Sequence, residues 1–135
     1  MITMEELLSN QATFVELDAA TQDNLNVLLT KINIIRTSWG KPMKVTSGLR
    51  TMKHHLEIYA AKGITDKSKI PMKSNHLYGR AVDISDPGRV LQKWCKANEP
   101  LLVSTGLWME DFSKTPTWCH FQTVPPASGN RWFMP

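Results

Sequence analysis

The sequence has none of the features that mark membrane-spanning, disulfide-rich or repeat proteins. Its 135 residues include only two cysteines, Cys95 and Cys119, which we expect to be reduced thiols because two cysteines do not make a disulfide framework. No apolar run approaches the length of about 20 residues that a membrane-spanning helix requires. Glu5 and Glu6 stand where a secretory signal would carry basic residues, so we expect synthesis in the cytoplasm.

The sequence also lacks a concentration of charge of one sign. The net charge is +4, yet the lysines are dispersed and are not clustered with stacking aromatic residues as they are on nucleic-acid-binding surfaces. We therefore expect no nucleic-acid partner, and the charge fits either an ordinary solvated face or attraction to an anionic cell-wall polymer. With 41% hydrophobic and 21% charged residues, no repeat and no linker, the composition predicts one globular domain over residues 1–135.

Hydrophobic periodicity predicts an α+β fold. The predicted elements are helices over 18–39, over 51–62 and from Asp86-Pro87 onward, strands over 43–46 and 81–84, a polar loop over 64–75, and a hairpin of strands 107–112 and 117–124. The connections are too short for a doubly wound sheet, so we expect a small, mainly antiparallel sheet flanked by helices. Trp132 and Phe133 are expected to pack back on the core.

Two of the four histidines are adjacent in a predicted helix. His54 and His55 would project about 100° apart around the helix axis, so they cannot easily bind one metal ion. We interpret both as surface or core-edge residues.

The other two histidines lie where they can converge with a carboxylate. His76 precedes Gly79, whose conformational freedom allows a sharp turn toward Asp83 in the following strand. His120 lies in a strand among aromatic residues, where it is either a packed core residue or a ligand presented from a rigid strand. Two imidazoles and one carboxylate leave a fourth tetrahedral position for water, which is typical of a catalytic zinc site.

Three blocks of the sequence form a pattern that is specific in combination. They are Ser47-Gly48-Leu49-Arg50-Thr51, Ser74-Asn75-His76-Leu77-Tyr78-Gly79-Arg80-Ala81-Val82-Asp83-Ile84 and Trp118-Cys119-His120-Phe121. In this order they resemble the zinc D-Ala-D-Ala carboxypeptidases, a family that includes the L-alanyl-D-glutamate endopeptidases of bacteriophage lysis systems. The resemblance implies the fold shared with the Hedgehog signalling domain. It also implies that His76, Asp83 and His120 bind one zinc ion.

The resemblance implies roles for three further residues. The Ser-Gly-x-Arg turn of the family matches Ser47 to Arg50, and the arginine there is expected to hold a substrate carbonyl or carboxylate and to support the transition state. The alternative for Arg50 is a structural role, as a helix cap or a partner of Glu57. Ser47 and Ser74, which belong to the matching blocks, are expected to bind substrate with Arg50.

One position departs from the family pattern. Many members carry the catalytic acid three residues before the last zinc ligand, where this sequence has Thr117, which cannot take a proton from water. The nearest acids are Glu110 and Asp111 on the preceding hairpin strand, roughly opposite residues 119 and 120. Adjacent strand residues face opposite ways, so we expect only one of them to face the zinc, and we favour Glu110.

The expected function is zinc-dependent hydrolysis of an amide bond in the peptidoglycan stem peptide. The preferred assignment is an L-Ala-D-Glu endopeptidase of a phage lysis system, brought to the cell wall by a holin or within a virion. A D-Ala-D-Ala carboxypeptidase is the alternative within the enzyme class. A non-catalytic cell-wall or virion binding protein on the same fold is the alternative of another class, supported by Thr117. We expect a monomer without membrane insertion.

Overall fold

Helix α2 (Ala19–Trp39) is the longest element of the computed structural model, which describes residues 1–135. Its buried apolar residues recur at helical spacing and join the main core: Leu25, Leu28, Ile32 and Ile35. The helix ends at Gly40, which adopts the left-handed conformation (φ 73°) that a side chain disfavours. The helix predicted over 18–39 is confirmed.

Four shorter helices complete the helical part of the fold. They are α1 (Met4–Leu8), α3 (Met52–Ala61), α4 (Val90–Ala97) and α5 (Glu99–Thr105), with 3-10 turns at Phe14–Glu16, Lys67–Lys69 and Asn75–Tyr78. The helix predicted over 51–62 is confirmed as α3, whereas α1 and α5 are additions to the predicted elements. No helix is both long and apolar enough to cross a bilayer.

Helix α1 begins with a capping box. Thr3 Oγ1 accepts a hydrogen bond from the Glu6 N–H (3.3 Å), and Glu6 Oε1 accepts one from the Thr3 N–H (3.1 Å). Leu7 and Leu8 are buried in the core. A helix of 5 residues is too short to be stable alone, so this packing is what holds it in place.

Five strands form one sheet in the order β1-β2-β4-β3-β5. The strands are β1 (Val45–Ser47), β2 (Ala81–Ser85), β3 (Trp108–Glu110), β4 (Trp118–Gln122) and β5 (Trp132–Phe133). All neighbouring pairs are antiparallel except β3 and β5, which are parallel. This sheet confirms the predicted α+β class, and β3 and β4 form the predicted hairpin.

The two faces of the sheet have different surroundings. Val82 in β2 pairs with Phe121 in β4, and both side chains are fully buried in the core that includes α2. Asp83 pairs with His120 at the next position. Because successive side chains point to opposite faces, Asp83 and His120 project from the face that does not contact this core.

Helix α4 begins later than the sequence predicts. A start at Asp86-Pro87 is wrong, because the last residue before the helix is Arg89, in the left-handed conformation (φ 59°). Asp86 nevertheless caps the helix, although it lies four residues before Val90. Its carboxylate accepts hydrogen bonds from the N–H groups of Leu91 (3.1 Å) and Gln92 (2.8 Å).

The C-terminal strand β5 covers the outer edge of β3. Trp132 packs against the core, as predicted, whereas Phe133 is buried on the other face of the sheet, edge-on to His120 with the ring centres 6.0 Å apart. The Asp111 N–H donates to the Phe133 carbonyl (2.7 Å), and the β3–β5 register places Phe133 beside Glu110.

Candidate metal centre

A row of polar side chains crosses four strands on the face away from the core. Ser47 in β1 pairs with Asp83 in β2, and Asp83 pairs with His120 in β4. The register of β3 and β4, continued by one residue, sets Glu110 opposite His120. Residues directly opposite each other on antiparallel strands share a face, so the four side chains form one continuous row.

His76 joins this row from outside the sheet. It lies in the 3-10 turn Asn75–Tyr78, and Gly79 (φ 72°) turns the chain into β2, as the sequence predicts. His76 Nε2 is 3.3 Å from Asp83 Oδ2, and His120 Nδ1 is 2.8 Å from Asp83 Oδ1. One possible ligand atom from each of the three residues lies within 4.8 Å of the others. The structure therefore brings together the three residues predicted to bind zinc.

The tautomer of His76 follows from its backbone partner. His76 is buried, and its Nδ1 lies 2.9 Å from the carbonyl oxygen of Gly48. A carbonyl only accepts, so Nδ1 carries a proton and Nε2 is the nitrogen left to face Asp83 and to bind a metal ion.

The tautomer of His120 is fixed by a chain of two hydrogen bonds. The side-chain Nε2 of Gln122 donates to the Val124 carbonyl (2.9 Å), which turns the amide oxygen of Gln122 toward His120. His120 Nε2 lies 2.9 Å from that oxygen and donates to it, so Nδ1 is the nitrogen that faces Asp83. Without a metal ion Nδ1 is protonated and donates to Asp83 Oδ1, and a metal ion would replace that proton. Groups outside the cluster thus orient both imidazoles, so that the nitrogen that would bind zinc faces Asp83.

Without a metal ion the cluster is a strongly coupled acid–base group. Burial opposes ionisation of Asp83, but hydrogen bonds from His120 and His76 outweigh it and hold the pKa of Asp83 well below its usual range. Burial opposes protonation of His120, yet the hydrogen bond and charge of Asp83 raise the pKa of His120. The ionised carboxylate and the two imidazoles form a donor set in which a metal ion would replace the protons that the histidines share with Asp83.

The donor set fits zinc. Zinc in proteins binds imidazole nitrogen and carboxylate oxygen in a tetrahedral arrangement, and three protein ligands leave one position for water. His76 Nε2, His120 Nδ1 and Asp83 supply these three donors from a sheet and a short turn. Magnesium and calcium prefer sites built from oxygen ligands alone.

Glu110 and Asp111 have different surroundings. Glu110 is half-buried on the same row as His120, and burial raises its pKa. The charge of His120 lowers the pKa of Glu110, and the charge of Asp83 raises it. Asp111 Oδ1 accepts hydrogen bonds from the N–H (2.9 Å) and hydroxyl (2.6 Å) of Ser113, and the hydroxyl bond lowers the pKa of Asp111. The Asp111 carboxylate therefore belongs to the hairpin turn.

Arg50 lies beside the row at the β1 end. Its Nη2 donates to Ser47 Oγ (3.2 Å), and its Nη1 lies 3.3 Å from Nδ1 of His55. The buried Nε has no hydrogen-bond partner. No ion pair with Glu57 is formed, since Glu57 is paired with His54 (3.8 Å).

The two helical histidines differ in burial. His54 is exposed, as predicted, whereas His55 is fully buried, so the prediction of a surface or core-edge position is wrong for His55. The physical reason is the chain at Pro71, which covers this side of α3 and whose carbonyl lies 2.9 Å from His55 Nε2.

Ser74 stands immediately before the turn that carries His76. It is half-buried, and its hydroxyl makes no capping hydrogen bond to the turn. That hydroxyl is therefore not committed to the turn it precedes, and its predicted substrate-binding role stays a prediction.

The turn that carries Gly48 and Arg50 is braced by the N-terminal segment. Three N–H groups of the turn donate to this segment: Gly48 to Ser9 Oγ (2.9 Å), Leu49 to the Leu7 carbonyl (2.7 Å) and Thr51 to Gln11 Oε1 (3.3 Å). A fourth, the Arg50 N–H, donates to the carbonyl of His76 itself (3.0 Å). These bonds fix the carbonyl that orients His76.

The fold and the cluster are those expected of a zinc-dependent hydrolase, with two possible ligands on the sheet, Asp83 and His120, and a third, His76, in the turn beside it. The family model described as Peptidase M15 matches residues 2–110, and the chain therefore belongs to this family of zinc metallopeptidases, as predicted. The match ends at Glu110, so the assignment of His120 comes from its geometry. No curated protein and no solved structure matches the chain.

Three residues that support the site were not among the predicted ones: Gly48 as the partner of His76, Gln122 as the partner of His120, and His55 as the partner of Arg50. Gln122 has a signal in the sequence, because a residue two positions after His120 in a strand shares its face. The Gly48–His76 contact joins segments 28 residues apart that no local pattern connects, whereas Arg50 and His55 are only five residues apart at the start of α3.

Proposed function

We propose that this M15 peptidase hydrolyses an amide bond of the peptidoglycan stem peptide, with the bond between L-Ala and D-Glu as its target. The observation that carries the proposal is the row in which the His76–Asp83–His120 cluster has an acid, Glu110, on one side and a guanidinium, Arg50, on the other. A general base and an oxyanion-stabilising cation on opposite sides of a metal are the groups that amide hydrolysis needs.

Zinc held by His76, Asp83 and His120 would supply Lewis acidity and an activated water of pKa about 7. Glu110 accepts the proton of the attacking water and delivers it to the leaving amine, a task that suits a carboxylate whose pKa is raised by burial. The Arg50 guanidinium donates to the oxygen that becomes negative as the carbonyl is attacked. Gln122 and Gly48 keep the two histidines in the tautomers described above.

Substrate choice is supported by the resemblance to phage endopeptidases and by the net charge of +4, which favours an anionic polymer. The second candidate is a D-Ala-D-Ala carboxypeptidase, because the planar guanidinium of Arg50, beside the cluster at Ser47, also suits the terminal carboxylate of a stem peptide. A binding protein without catalysis remains the third outcome, because Thr117 stands at the usual position of the acid.

Digestion of purified murein followed by mass spectrometry of the products separates these functions. New ends at L-Ala support the endopeptidase, released D-Ala supports the carboxypeptidase, and intact murein with zinc-loaded protein supports the binding protein.

Glu110→Gln tests the base, because it keeps the size of the side chain and removes its basicity. We expect kcat to fall by about 10²- to 10⁴-fold with zinc content unchanged. Asp111→Asn is the matched control and should retain activity, because the Asp111 carboxylate is bonded to Ser113. The opposite ranking of the two variants would move the base to Asp111.

A further inference from the structure

We infer that His55 is a positioning residue for the peptidase reaction: it holds the Arg50 guanidinium in the orientation that substrate requires. The inference rests on the proposed role of Arg50 and adds a residue from α3, which contributes none of the zinc ligands. Its basis is a relay of contacts that runs from the Pro71 carbonyl through the His55 ring to Arg50.

The Pro71 carbonyl determines which nitrogen of His55 carries the proton. His55 is fully buried, and its Nε2 lies 2.9 Å from that carbonyl oxygen, which only accepts. Nε2 is therefore the donor and Nδ1 keeps its lone pair. Nδ1 lies 3.3 Å from Arg50 Nη1, so it accepts a hydrogen bond from the guanidinium.

The neutral ring is also the form that its surroundings stabilise. Burial lowers the pKa of His55, and the neighbouring charges of Arg50, His76 and His54 act in the same direction, against the bond to Pro71. An imidazolium would point an N–H at a cation. The ring is further confined by edge-on packing against Tyr59, with the ring centres 5.1 Å apart.

Two anchors define the orientation of the guanidinium. Nη1 is bonded to His55 and Nη2 to Ser47 Oγ (3.2 Å), so both terminal nitrogens are held from different elements. An arginine side chain otherwise has several rotatable bonds whose ordering costs entropy on substrate binding. Anchoring before substrate arrives removes part of that cost from the transition state.

Two substitutions of His55 test the contacts of its two ring nitrogens separately. His55→Asn keeps an acceptor near the place of Nδ1 and loses the contact with Pro71, whereas His55→Gln reaches Pro71 and loses the acceptor toward Arg50. We expect His55→Gln to lower kcat/KM by about 10- to 100-fold, mostly through kcat, with zinc content unchanged, and His55→Asn to retain clearly more. His54→Gln, at the exposed neighbouring position, is the control and should match wild type.

A double-mutant cycle with Arg50→Ala tests whether His55 acts through Arg50. In the Arg50→Ala background, His55→Gln should cause no further loss of kcat/KM. Full additivity of the two losses, or equal losses in His55→Asn and His55→Gln, would show that His55 serves only packing and would overturn the inference.

A spectroscopic measurement tests the role of His55 independently of activity. If murein is not cleaved, the proposed function fails, but the contact between His55 and Arg50 can still be tested. Long-range ¹H–¹⁵N spectra of the zinc-loaded protein should show His55 as the neutral Nε2–H tautomer. The Arg50 side-chain signals should shift in His55→Gln and stay near their wild-type positions in His55→Asn. An Nδ1–H tautomer or an imidazolium at His55 would contradict the inference, because neither can accept from Arg50.

Discussion

At the scale of single residues, the candidate metal site depends on groups outside the His76–Asp83–His120 cluster. Each of the two histidines in the cluster has one nitrogen facing Asp83 and the other bonded to an oxygen outside the cluster, from Gly48 for His76 and from Gln122 for His120. Such partners set the tautomer and the ring orientation before the metal binds. The sequence predicts the three ligands because their types and spacing match a family, but it carries no comparable signal for the Gly48 contact.

Gln122 offers the clearest test at this scale. Gln122→Ala removes the acceptor for His120 Nε2, and we expect zinc affinity to fall by about 10- to 100-fold in competition with a chromogenic chelator. Gln122→Glu keeps an oxygen acceptor and should bind zinc more tightly than Gln122→Ala. Equal affinity of wild type and Gln122→Ala would show that the bond does not orient His120.

At the scale of elements, the contact between α1 and the turn at Gly48 supports the His76 side of the candidate metal centre. The β2 and β4 strands are predictable because their residues alternate between core and site, but their mutual register could not be predicted because α4, α5 and β3 lie between them in the chain. Helix α1 also has a readable signal, since Thr3 and Glu6 form a capping box before Leu7 and Leu8. The partner of α1 could not be predicted, because the bonds between residues 7–11 and 48–51 join distant segments.

Gly48→Ala should break this contact. A Cβ at Gly48 would lie 2.1 Å from the Leu7 carbonyl oxygen, and the colliding atoms are backbone, so the two elements must separate. We expect a loss of about 3 kcal/mol in the free energy of unfolding, measured by urea denaturation, together with weaker zinc binding through the displaced Gly48 carbonyl. Gly40→Ala is the control: its φ of 73° costs about 1 kcal/mol, and nothing lies within 4 Å of the added Cβ, so zinc affinity should be unchanged.

At the scale of the whole molecule, the sheet separates the apolar core from the chemistry. Cys95 and Cys119 are on the core side and are free, as predicted. Burial raises the pKa of Cys95 to about 12 and raises that of Cys119 further. A raised thiol pKa keeps sulfur in the unreactive neutral form at ordinary pH. We expect no reaction with a disulfide reagent at about pH 8 in native protein and reaction of both thiols after denaturation.

The same separation determines what removal of zinc should do. Zinc that binds only the folded chain stabilises it by about 4 kcal/mol when its free concentration is about 1,000 times the Kd, so chelation should lower the Tm. The chain should nevertheless remain folded, because Asp83 stays paired with both histidines and the apolar core lies on the other face of the sheet. Calorimetry measures the Tm and circular dichroism measures the remaining secondary structure. Both are recorded with a chelator and after zinc is added back, for the wild type and for His76→Ala. The Tm of His76→Ala should change little when the chelator is added. Unfolding of the wild type on chelation would contradict the prediction, because it would mean that the metal, rather than the core, stabilises the fold.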